Sequence, residues 1–240
     1  MTDDESGKTG KSYRPHVLSA SNRLRQAEDF SMQDQHMQSN NRQAADNIAG
    51  LYERHAKLWD TSRGKTLFER SWLDRFTALI SQGGAILDIG CGSGEPLARH
   101  LIESGYAVTG IDSSSSLIDM CKTRFPNSNW QIADMRSLSL GRSFDGLIAW
   151  DSFFHLTFED QRRMFPLFRA HSKPGTALMF TSGPAHGEAM GTFVGEPLYH
   201  SSLSPDEYRA LLAEHGFTVL AHKAEDPACG NHTVWLAQRQ

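Results

Sequence analysis

The sequence has few cysteines, no excess of basic charge and no long apolar run. Its three cysteines, Cys91, Cys121 and Cys229, lack the paired spacing of a disulfide framework or a zinc site, so we expect a reducing, cytoplasmic location. The 24 basic and 28 acidic residues give a formal net charge of -4, which argues against nucleic acid or an anionic membrane as a partner. No segment approaches the roughly 20 apolar residues of a membrane helix, and the first residues lack the basic and apolar regions of a secretory signal.

Aromatic and branched apolar residues are also scarce in the first 44 residues, which are rich in Ser, Gln, Asn and Asp. Such a composition buries too little apolar surface to fold alone, so residues 1–44 are expected to form a flexible, disordered tail. From Asp46 onward apolar residues recur at helical spacing, which predicts two leading amphipathic helices within residues 45–82. The remaining length suits one α/β domain over residues 45–240.

Short apolar strands alternate with helical segments after these leading helices. The predicted strands lie at 85–90, 106–112, 129–134, 144–150, 176–182, 217–223 and 232–238, and the predicted helices at 96–104, 115–124, 158–171 and 205–215. This alternation is typical of a doubly wound parallel sheet, in which a ligand binds beyond the carboxyl ends of the strands. A loop without a helix, AEDPACGN, joins the last two strands, so the last strand is expected to be antiparallel to its neighbour.

Glycines occupy every second position after the first strand, in the stretch ILDIGCGSGEP. Gly90, Gly92 and Gly94 permit positive φ angles and let a ligand approach the main chain. The dinucleotide fingerprint G-x-G-x-x-G requires a third glycine where this chain has Glu95. Because an acid at a helix N-terminus competes with phosphate for the same amides, the turn favours a ligand without phosphates.

Three acids fall at or near the ends of the first three strands. Asp112 ends the second strand, twenty residues after Gly92, where an acid can accept hydrogen bonds from ribose hydroxyls. Asp134 ends the third strand and can accept from an adenine amine, with Met135 as an apolar cover. Asp88, within the first strand, is placed to meet an ammonium group. Three carboxylates favour a cationic amino-acid nucleoside over a pyrophosphate.

These motifs resemble those of the class I S-adenosylmethionine (AdoMet) dependent methyltransferases, over the whole of residues 45–240. The matching segments are LDIGCGSG, VTGIDSS, ADM at 133–135 and FDGLIAWDSFFHL at 144–156. The resemblance implies AdoMet as the cofactor and a Rossmann-like, seven-stranded sheet of order 3-2-1-4-5-7-6 with strand 7 antiparallel and helices on both faces. The cofactor-binding residues that it implies are Asp88, Gly90, Cys91, Gly92, Gly94, Asp112, Ser113, Asp134, Met135, Trp150 and Trp59. We interpret the thiol of Cys91 as space-filling, and Trp59 either as a core residue or as part of a lid.

Methyl transfer by in-line displacement depends on positioning in a dry pocket, and an acceptor with an acidic proton also needs a base. His155, after the fourth strand, is predicted to be that base or a structural residue of the pocket wall. The segment 183–204 shows no clear periodicity and follows the fifth strand, so we expect a binding loop or lid over the acceptor. Its candidate catalytic residues are His186, Tyr199 and His200. His186 and Glu188 lack a third ligand in register, so no metal site is predicted.

The acceptor class is inferred from what the fourth-strand segment does not contain. Enzymes that methylate nucleobase amines typically carry Asp/Asn-Pro-Pro-aromatic there, whereas this chain has Trp150-Asp151-Ser152-Phe153. No basic stripe or added domain accompanies it, which favours a small-molecule acceptor. The residues leave open which atom is methylated and how many chains assemble. Two alternatives also stay open, namely an AdoMet-binding module without catalysis and an NAD(P)-dependent oxidoreductase.

Overall fold

A computed structural model of the chain describes the backbone of residues 20–240 and the side chains from residue 38 onward. Residues Asn41–Gln240 form one compact unit. The tail predicted for residues 1–44 lies outside the described residues as far as residue 19. From Ala20 the backbone is helical, so no change of structure marks the predicted boundary at residue 44. Residues such as Ala, Gln, Met and Arg favour helix, and they let the helix extend ahead of the segment that is buried.

Six helices and nine strands follow one another along the described chain. The helices are α1 (Ala20–Ser62), α2 (Arg70–Thr77), α3 (Leu97–Glu103), α4 (Ser115–Arg124), α5 (Phe158–Ala170) and α6 (Pro205–Glu214). The strands are β1 (Ala85–Ile89), β2 (Ala107–Asp112), β3 (Asn129–Ile132), β4 (Phe144–Ala149), β5 (Ser172–Ser182), β6 (Gly187–Phe193), β7 (Glu196–Ser202), β8 (Phe217–Asp226) and β9 (His232–Arg239). Short 3₁₀ turns lie at Met135–Ser137, Phe153–His155 and Pro227–Cys229.

Seven of the strands form one sheet in the order β3-β2-β1-β4-β5-β9-β8. The first five run parallel, and β9 pairs antiparallel with both β5 and β8. With β8 and β9 taken as strands 6 and 7, this confirms the predicted order and the predicted reversal. The sheet order changes direction between β1 and β4, and this switch point is where ligands bind in open α/β sheets.

The segment predicted as an aperiodic loop is instead a hairpin of β6 and β7. Val194 and Gly195 form its two-residue turn with φ angles of 53° and 78°, which matches the positive φ pair of a type I′ turn. Most of β6 is exposed on both faces, so its sequence lacks the alternation of apolar and polar residues that identifies a half-buried strand. Val-Gly is also not one of the usual turn pairs, because a β-branched residue resists positive φ.

Apolar side chains fill both faces of the sheet. Neighbouring residues on one strand point to opposite faces, as Ile86 and Leu87 do on β1. One face packs under α2, α3 and α4, and the other packs against α5 and α6 through a group of aromatic rings. That group is Phe153, Phe165, Phe168, Phe180, Tyr208 and Trp235. All three cysteines are buried and unpaired. No helix in the described part of the chain is long and apolar enough to cross a membrane.

Gln161 of α5 anchors the hairpin to the main body and is completely buried. Its amide nitrogen donates to the Ser201 carbonyl at 2.9 Å, to the Ser201 hydroxyl at 2.9 Å and to the Leu156 carbonyl at 3.0 Å. Its amide oxygen accepts from the Tyr208 hydroxyl at 2.6 Å. One amide therefore ties β7 and α6 to α5.

Replacing Gln161 with leucine should lower the free energy of unfolding by about 3 kcal/mol, because buried polar partners on Ser201 and Tyr208 lose their hydrogen bonds. Chemical denaturation measures this change. Gln131→Leu, at a half-buried position on β3, is the matched control and should have a small effect. Equal effects of the two substitutions would contradict the anchoring role.

Candidate active site

A cavity opens at the carboxyl ends of β1, β2 and β4, beneath α1. It encloses about 110 Å³, and about 880 Å³ when the space open to solvent at its mouth is included. The enclosed volume is smaller than the roughly 300–1,000 Å³ typical of ligand pockets, so the site is largely closed in this structure. Eight of the residues predicted from the sequence line it: Trp59, Gly90, Gly92, Asp112, Ser113, Asp134, Met135 and His155.

The glycine turn is required by the protein's own packing. Gly90 and Gly92 have φ angles of 76° and 54°, in the left-handed region that favours glycine. A Cβ atom on Gly90 would lie 2.3 Å from the Cβ of Ser152, and one on Gly92 would lie 2.5 Å from the Trp59 ring. From the sequence, these glycines are predicted to let a ligand approach the main chain. In this closed structure the side chains of Ser152 and Trp59 lie in the space that a Cβ atom at either glycine would need.

Asp112 joins the end of β2 to the glycine turn. One carboxylate oxygen accepts from the Gly92 backbone N–H at 2.9 Å, and the other accepts from the Ser114 N–H at 2.9 Å. Burial raises the pKa of Asp112, and the backbone N–H donors oppose that rise. The carboxylate therefore lies in the cavity wall at a position fixed by main-chain donors.

Two predicted cofactor residues next to this turn lie behind the wall. Asp88 is buried within β1, and burial, with a smaller contribution from Asp112, raises its pKa to about 7. Burial also raises the pKa of the Cys91 thiol. The thiols of Cys91 and Cys121 both point at the Gly92 carbonyl, with Sγ to oxygen distances of 3.7 and 3.2 Å. A buried neutral thiol at this position agrees with a space-filling role.

The far end of the cavity carries a cluster of charges around Arg136. Its guanidinium donates to both oxygens of Asp134, to Oδ1 at 3.1 Å and to Oδ2 at 2.7 Å, and lies 3.7 Å from Asp46 and 3.9 Å from Asp160. Pairing with Arg136 contributes to a lowered pKa of Asp134, against the opposing effect of burial. Asp112 and Asp151 also line the cavity, which gives five aspartates and one arginine in its wall. The wall therefore favours a cationic ligand and disfavours a diphosphate.

Helix α1 closes the cavity from above and is held by two carboxylates. Glu53 accepts from the hydroxyls of Ser114 and Ser116 at 2.6 and 2.7 Å, and these contacts lower its pKa to about 2. Asp60 accepts from the Ser93 hydroxyl at 2.5 Å and from the Arg124 guanidinium at 2.6 Å. Sequence reasoning missed both acids, because their partners lie far along the chain and no local motif marks them.

His155 lines the cavity and has a defined tautomer. Its Nδ1 lies 2.8 Å from the Tyr199 carbonyl, and a carbonyl only accepts, so Nδ1 carries the proton. Nε2 lies 2.9 Å from the Tyr52 hydroxyl and accepts from it. Burial lowers the pKa of His155 to about 4, so the imidazole is neutral at pH 7. Its one basic nitrogen faces Tyr52, which α1 contributes to the wall.

The other predicted catalytic residues belong to the hairpin and its approach, and none lines the cavity. The Tyr199 hydroxyl donates to Glu188 at 2.5 Å. The His200 ring lies 4.8 Å from the His155 ring and 5.2 Å from the Phe154 ring. His186 stacks on Phe158 at 4.5 Å. Hairpin geometry places the His200 ring against His155, and periodicity alone gave no indication of that arrangement.

The hairpin turn instead reaches α1. Glu196 pairs with His55 at 2.6 Å and with Arg54 at 2.5 Å. The Phe193 ring lies 6.3 Å from the Tyr52 ring. The hairpin and α1 therefore meet above the cavity.

The end of β4 differs from the expectation for Trp150. Its ring is buried and stacks on His232 at 5.5 Å, outside the cavity wall. The next residue, Asp151, does line the cavity, and its carboxylate lies 2.9 Å from Nε2 of His232. Sequence reasoning missed His232, because the pairing of β9 with β5 brings it to this edge.

Replacing Asp88 with asparagine tests its buried carboxyl group. Its folded pKa of about 7 exceeds the ordinary value of 3.8, so the stability that the protonated group provides is complete below pH 4 and is lost as the pH rises through 7. The free energy of unfolding of Asp88→Asn, relative to the unsubstituted protein, should therefore rise between pH 4 and pH 8 by up to about 4 kcal/mol. Denaturation across this pH range measures it, with the exposed Asp119→Asn as control. A difference in the free energy of unfolding that does not change with pH would contradict the raised pKa of Asp88.

Comparison with known proteins agrees with this geometry. Residues 86–175 match the model of the methyltransferase domain. An O-methyltransferase of Pyrenophora dematioidea is 29% identical over 184 residues, covering 69% of this chain and 68% of that protein. A ubiquinone biosynthesis O-methyltransferase of Coxiella burnetii is 36% identical over 109 residues, covering 42% of this chain and only 44% of that protein.

Solved structures share the fold at low sequence identity. The glycopeptide N-methyltransferase MtfA with S-adenosyl-L-homocysteine has a TM-score of 0.60 and 17% identity, covering 76% of this chain and 96% of that one. CalS10, an amino pentose methyltransferase from Micromonospora echinaspora, has a TM-score of 0.60 and 17% identity, covering 78% and 96%. The sheet order, the acidic cavity and these matches lead to one conclusion: the chain has the Rossmann-like methyltransferase fold, and its residues 86–175 match the methyltransferase domain.

Proposed function

We propose that this methyltransferase transfers the methyl group of AdoMet to a hydroxyl group of a small molecule and releases S-adenosylhomocysteine. The observation that carries the proposal is the cavity at the β1–β4 switch point, with Asp112 fixed by two backbone N–H groups in an acidic wall. An acidic wall suits AdoMet, whose sulfonium and ammonium groups are cationic. When bound, AdoMet supplies a methyl group activated by the positive sulfur.

Each end of the cavity suits one part of the cofactor. We propose that Asp112 and Ser113 hold the ribose hydroxyls, because each oxygen of Asp112 keeps a lone pair beyond its backbone bond. Asp134 and Met135 would hold the adenine, with Asp134 oriented by Arg136. Gly90 and Gly92 would lie under the amino-acid part. The match of residues 86–175 to the methyltransferase domain supports methyl transfer over the oxidoreductase alternative.

The leading helices are proposed to act as a lid, with Trp59 as the residue that covers the glycine turn. The Trp59 ring lies against Gly92, and Glu53 and Asp60 hold α1 to the start of α4 and to the turn. Because the enclosed space is small, the helix has to move before a nucleoside can enter or leave. Exclusion of water by the closed lid favours transfer.

We propose His155 as the base for the acceptor, and we do not extend that role to His186, Tyr199 or His200. An amine nucleophile that is already neutral needs no base, whereas a hydroxyl must lose its proton as the new bond forms. The neutral His155 offers Nε2 for this proton, either directly or through the Tyr52 hydroxyl. The names of the Pyrenophora and Coxiella relatives, both O-methyltransferases, favour oxygen as the methylated atom.

Replacing Asp112 with alanine should weaken binding of S-adenosylhomocysteine by about 1–3 kcal/mol, because charge-assisted hydrogen bonds to the ribose are lost. Isothermal titration calorimetry measures the affinity. Asp112→Asn keeps the size of the side chain but removes its charge. Comparison of the two variants therefore separates the effect of the lost charge from the effect of the lost hydrogen bonds to the Gly92 and Ser114 N–H groups. Affinity equal to that of the unsubstituted protein in both variants would refute the ribose assignment.

Replacing Asp60 with alanine should loosen the lid, so that S-adenosylhomocysteine associates and dissociates several-fold faster, as expected for a partly exposed ion pair. Stopped-flow tryptophan fluorescence follows both rates. Asp119→Ala, which removes an exposed ion pair with Lys122 on α4, is the matched control. Unchanged rates in Asp60→Ala would argue against a lid held at this point.

The reaction itself is tested with methyl-labelled AdoMet and two panels of small molecules, hydroxylated aromatics and amines. Labelled ether and S-adenosylhomocysteine formed from the first panel are the expected products. Products from amines alone would contradict oxygen as the acceptor. Tight binding of AdoMet without any product from either panel would favour the binding module without catalysis.

A further inference from the structure

Asp151 lies between the cavity and a small set of charges behind it. Its carboxylate oxygens lie 2.9 Å from Nε2 of His232 and 4.0 Å from the Arg63 guanidinium. Arg63 in turn donates to the buried Glu69 at 2.7 Å. The charges of Arg63 and Glu69 therefore neutralise each other, and His232 is the nearest charged neighbour of Asp151.

His232 holds Asp151 and does not act as a base. Its Nδ1 lies 2.8 Å from the Cys229 carbonyl, which only accepts, so Nδ1 carries a proton. Its Nε2 faces the carboxylate, and pairing with Asp151 raises the pKa of His232. The ring is fixed between Trp150 and Phe68, with centroid distances of 5.5 and 5.4 Å. Nδ1 is bound to the Cys229 carbonyl and Nε2 faces the Asp151 carboxylate, so the ring supports the carboxylate.

The main chain of Asp151 is also fixed. Its φ angle is 51°, in the left-handed region that Asp and Asn tolerate better than other side chains. Its N–H donates to the Thr181 hydroxyl of β5 at 2.9 Å. A strained residue held from β5 and β9, with its side chain in a cavity wall, is typical of a functional site.

The position of Asp151 follows from the order of the strands. Asp134, Asp112, Gly90 and Asp151 follow β3, β2, β1 and β4, which are neighbours in the sheet. With strands about 4.8 Å apart, Asp151 lies roughly 14 Å across the sheet from Asp134. A nucleoside that occupies the Asp112–Asp134 end leaves its sulfur and amino-acid end at β1 and β4.

Other carboxylates at the β1–β4 end are less suited to meet a cation. Asp88 lies behind the wall, and burial raises its pKa to about 7, so it is partly protonated near neutral pH. Glu69 is completely buried and bound to Arg63. Among the described residues at this end, Asp151 is the carboxylate that reaches the cavity wall.

Resting on the proposed function, we infer that Asp151, positioned by His232, is the group through which the site distinguishes the cationic sulfur of AdoMet from the neutral sulfur of S-adenosylhomocysteine. Attraction between Asp151 and the sulfonium is lost when the methyl group leaves. The pair therefore favours binding of the donor and release of the spent product.

The test uses two ligands that need no acceptor. Sinefungin carries an ammonium group in place of the methylsulfonium, and S-adenosylhomocysteine is neutral at this point. Calorimetry gives the ratio of their affinities in the unsubstituted protein, in Asp151→Asn and in the exposed control Asp206→Asn. In Asp151→Asn the preference for sinefungin should fall about 10-fold or more, as expected for a lost charge-assisted contact, while affinity for S-adenosylhomocysteine is retained.

Each result bears on a different claim. Asparagine tolerates the φ angle of residue 151, and retained binding of S-adenosylhomocysteine shows that the variant is folded. Equal weakening of both ligands, or an equal fall in Asp206→Asn, would overturn the inference and leave the proposed function standing. Failure of the unsubstituted protein to bind either ligand would overturn the proposed function itself.

The positioning role of His232 has its own readout. In side-chain NMR the His232 ring should titrate at a lower pH in Asp151→Asn than in the unsubstituted protein, because the carboxylate partner is gone. An identical titration in the two proteins would show that the pair does not form in solution and would overturn the role of His232.

Discussion

The structure depends on the hydrogen bonds that join Asp112 to the backbone N–H groups of Gly92 and Ser114. These bonds link the end of β2 to the turn after β1 and to the start of α4. They also place the half-buried carboxylate of Asp112 at a fixed point in the cavity wall, although desolvation raises its pKa and so opposes its charge. The two backbone N–H donors offset the free-energy cost of removing this carboxylate from water. They are needed because water cannot hydrate the carboxylate once α1 covers the turn.

Charge organises the rest of the cavity. The wall holds five aspartates and one arginine. Arg136 lies near three of these aspartates, Asp46, Asp134 and Asp160, and His232 lies beside Asp151. Two other acids of α1, Glu53 and Asp60, are not part of the wall and hold the helix to the turn and to α4. One set of carboxylates is therefore available to a cationic ligand, and another set keeps the site closed over it.

The histidines show why position decides function. His155 is buried and neutral, with one nitrogen bound to a carbonyl and the other to Tyr52. His232 is paired with an acid, and both its nitrogens have partners. The same side chain presents a basic nitrogen to Tyr52 in one place and supports a carboxylate in the other, because its neighbours differ.

The sequence by itself determined the alternation of strands and helices, the reversal of the last strand, the glycine turn and the three acids, because these follow from local periodicity and short motifs, and the sheet order followed from the family resemblance that those motifs carry. It did not reveal the β6–β7 hairpin, since an exposed strand carries no apolar alternation. It predicts Trp150 at the cofactor, and in the structure the ring stacks on His232, outside the cavity wall. Only the tertiary structure decided which distant residues meet, as Glu53 meets Ser114 and His232 meets Asp151. Such contacts arise from packing between elements far apart in the chain, and no local pattern of residues encodes them.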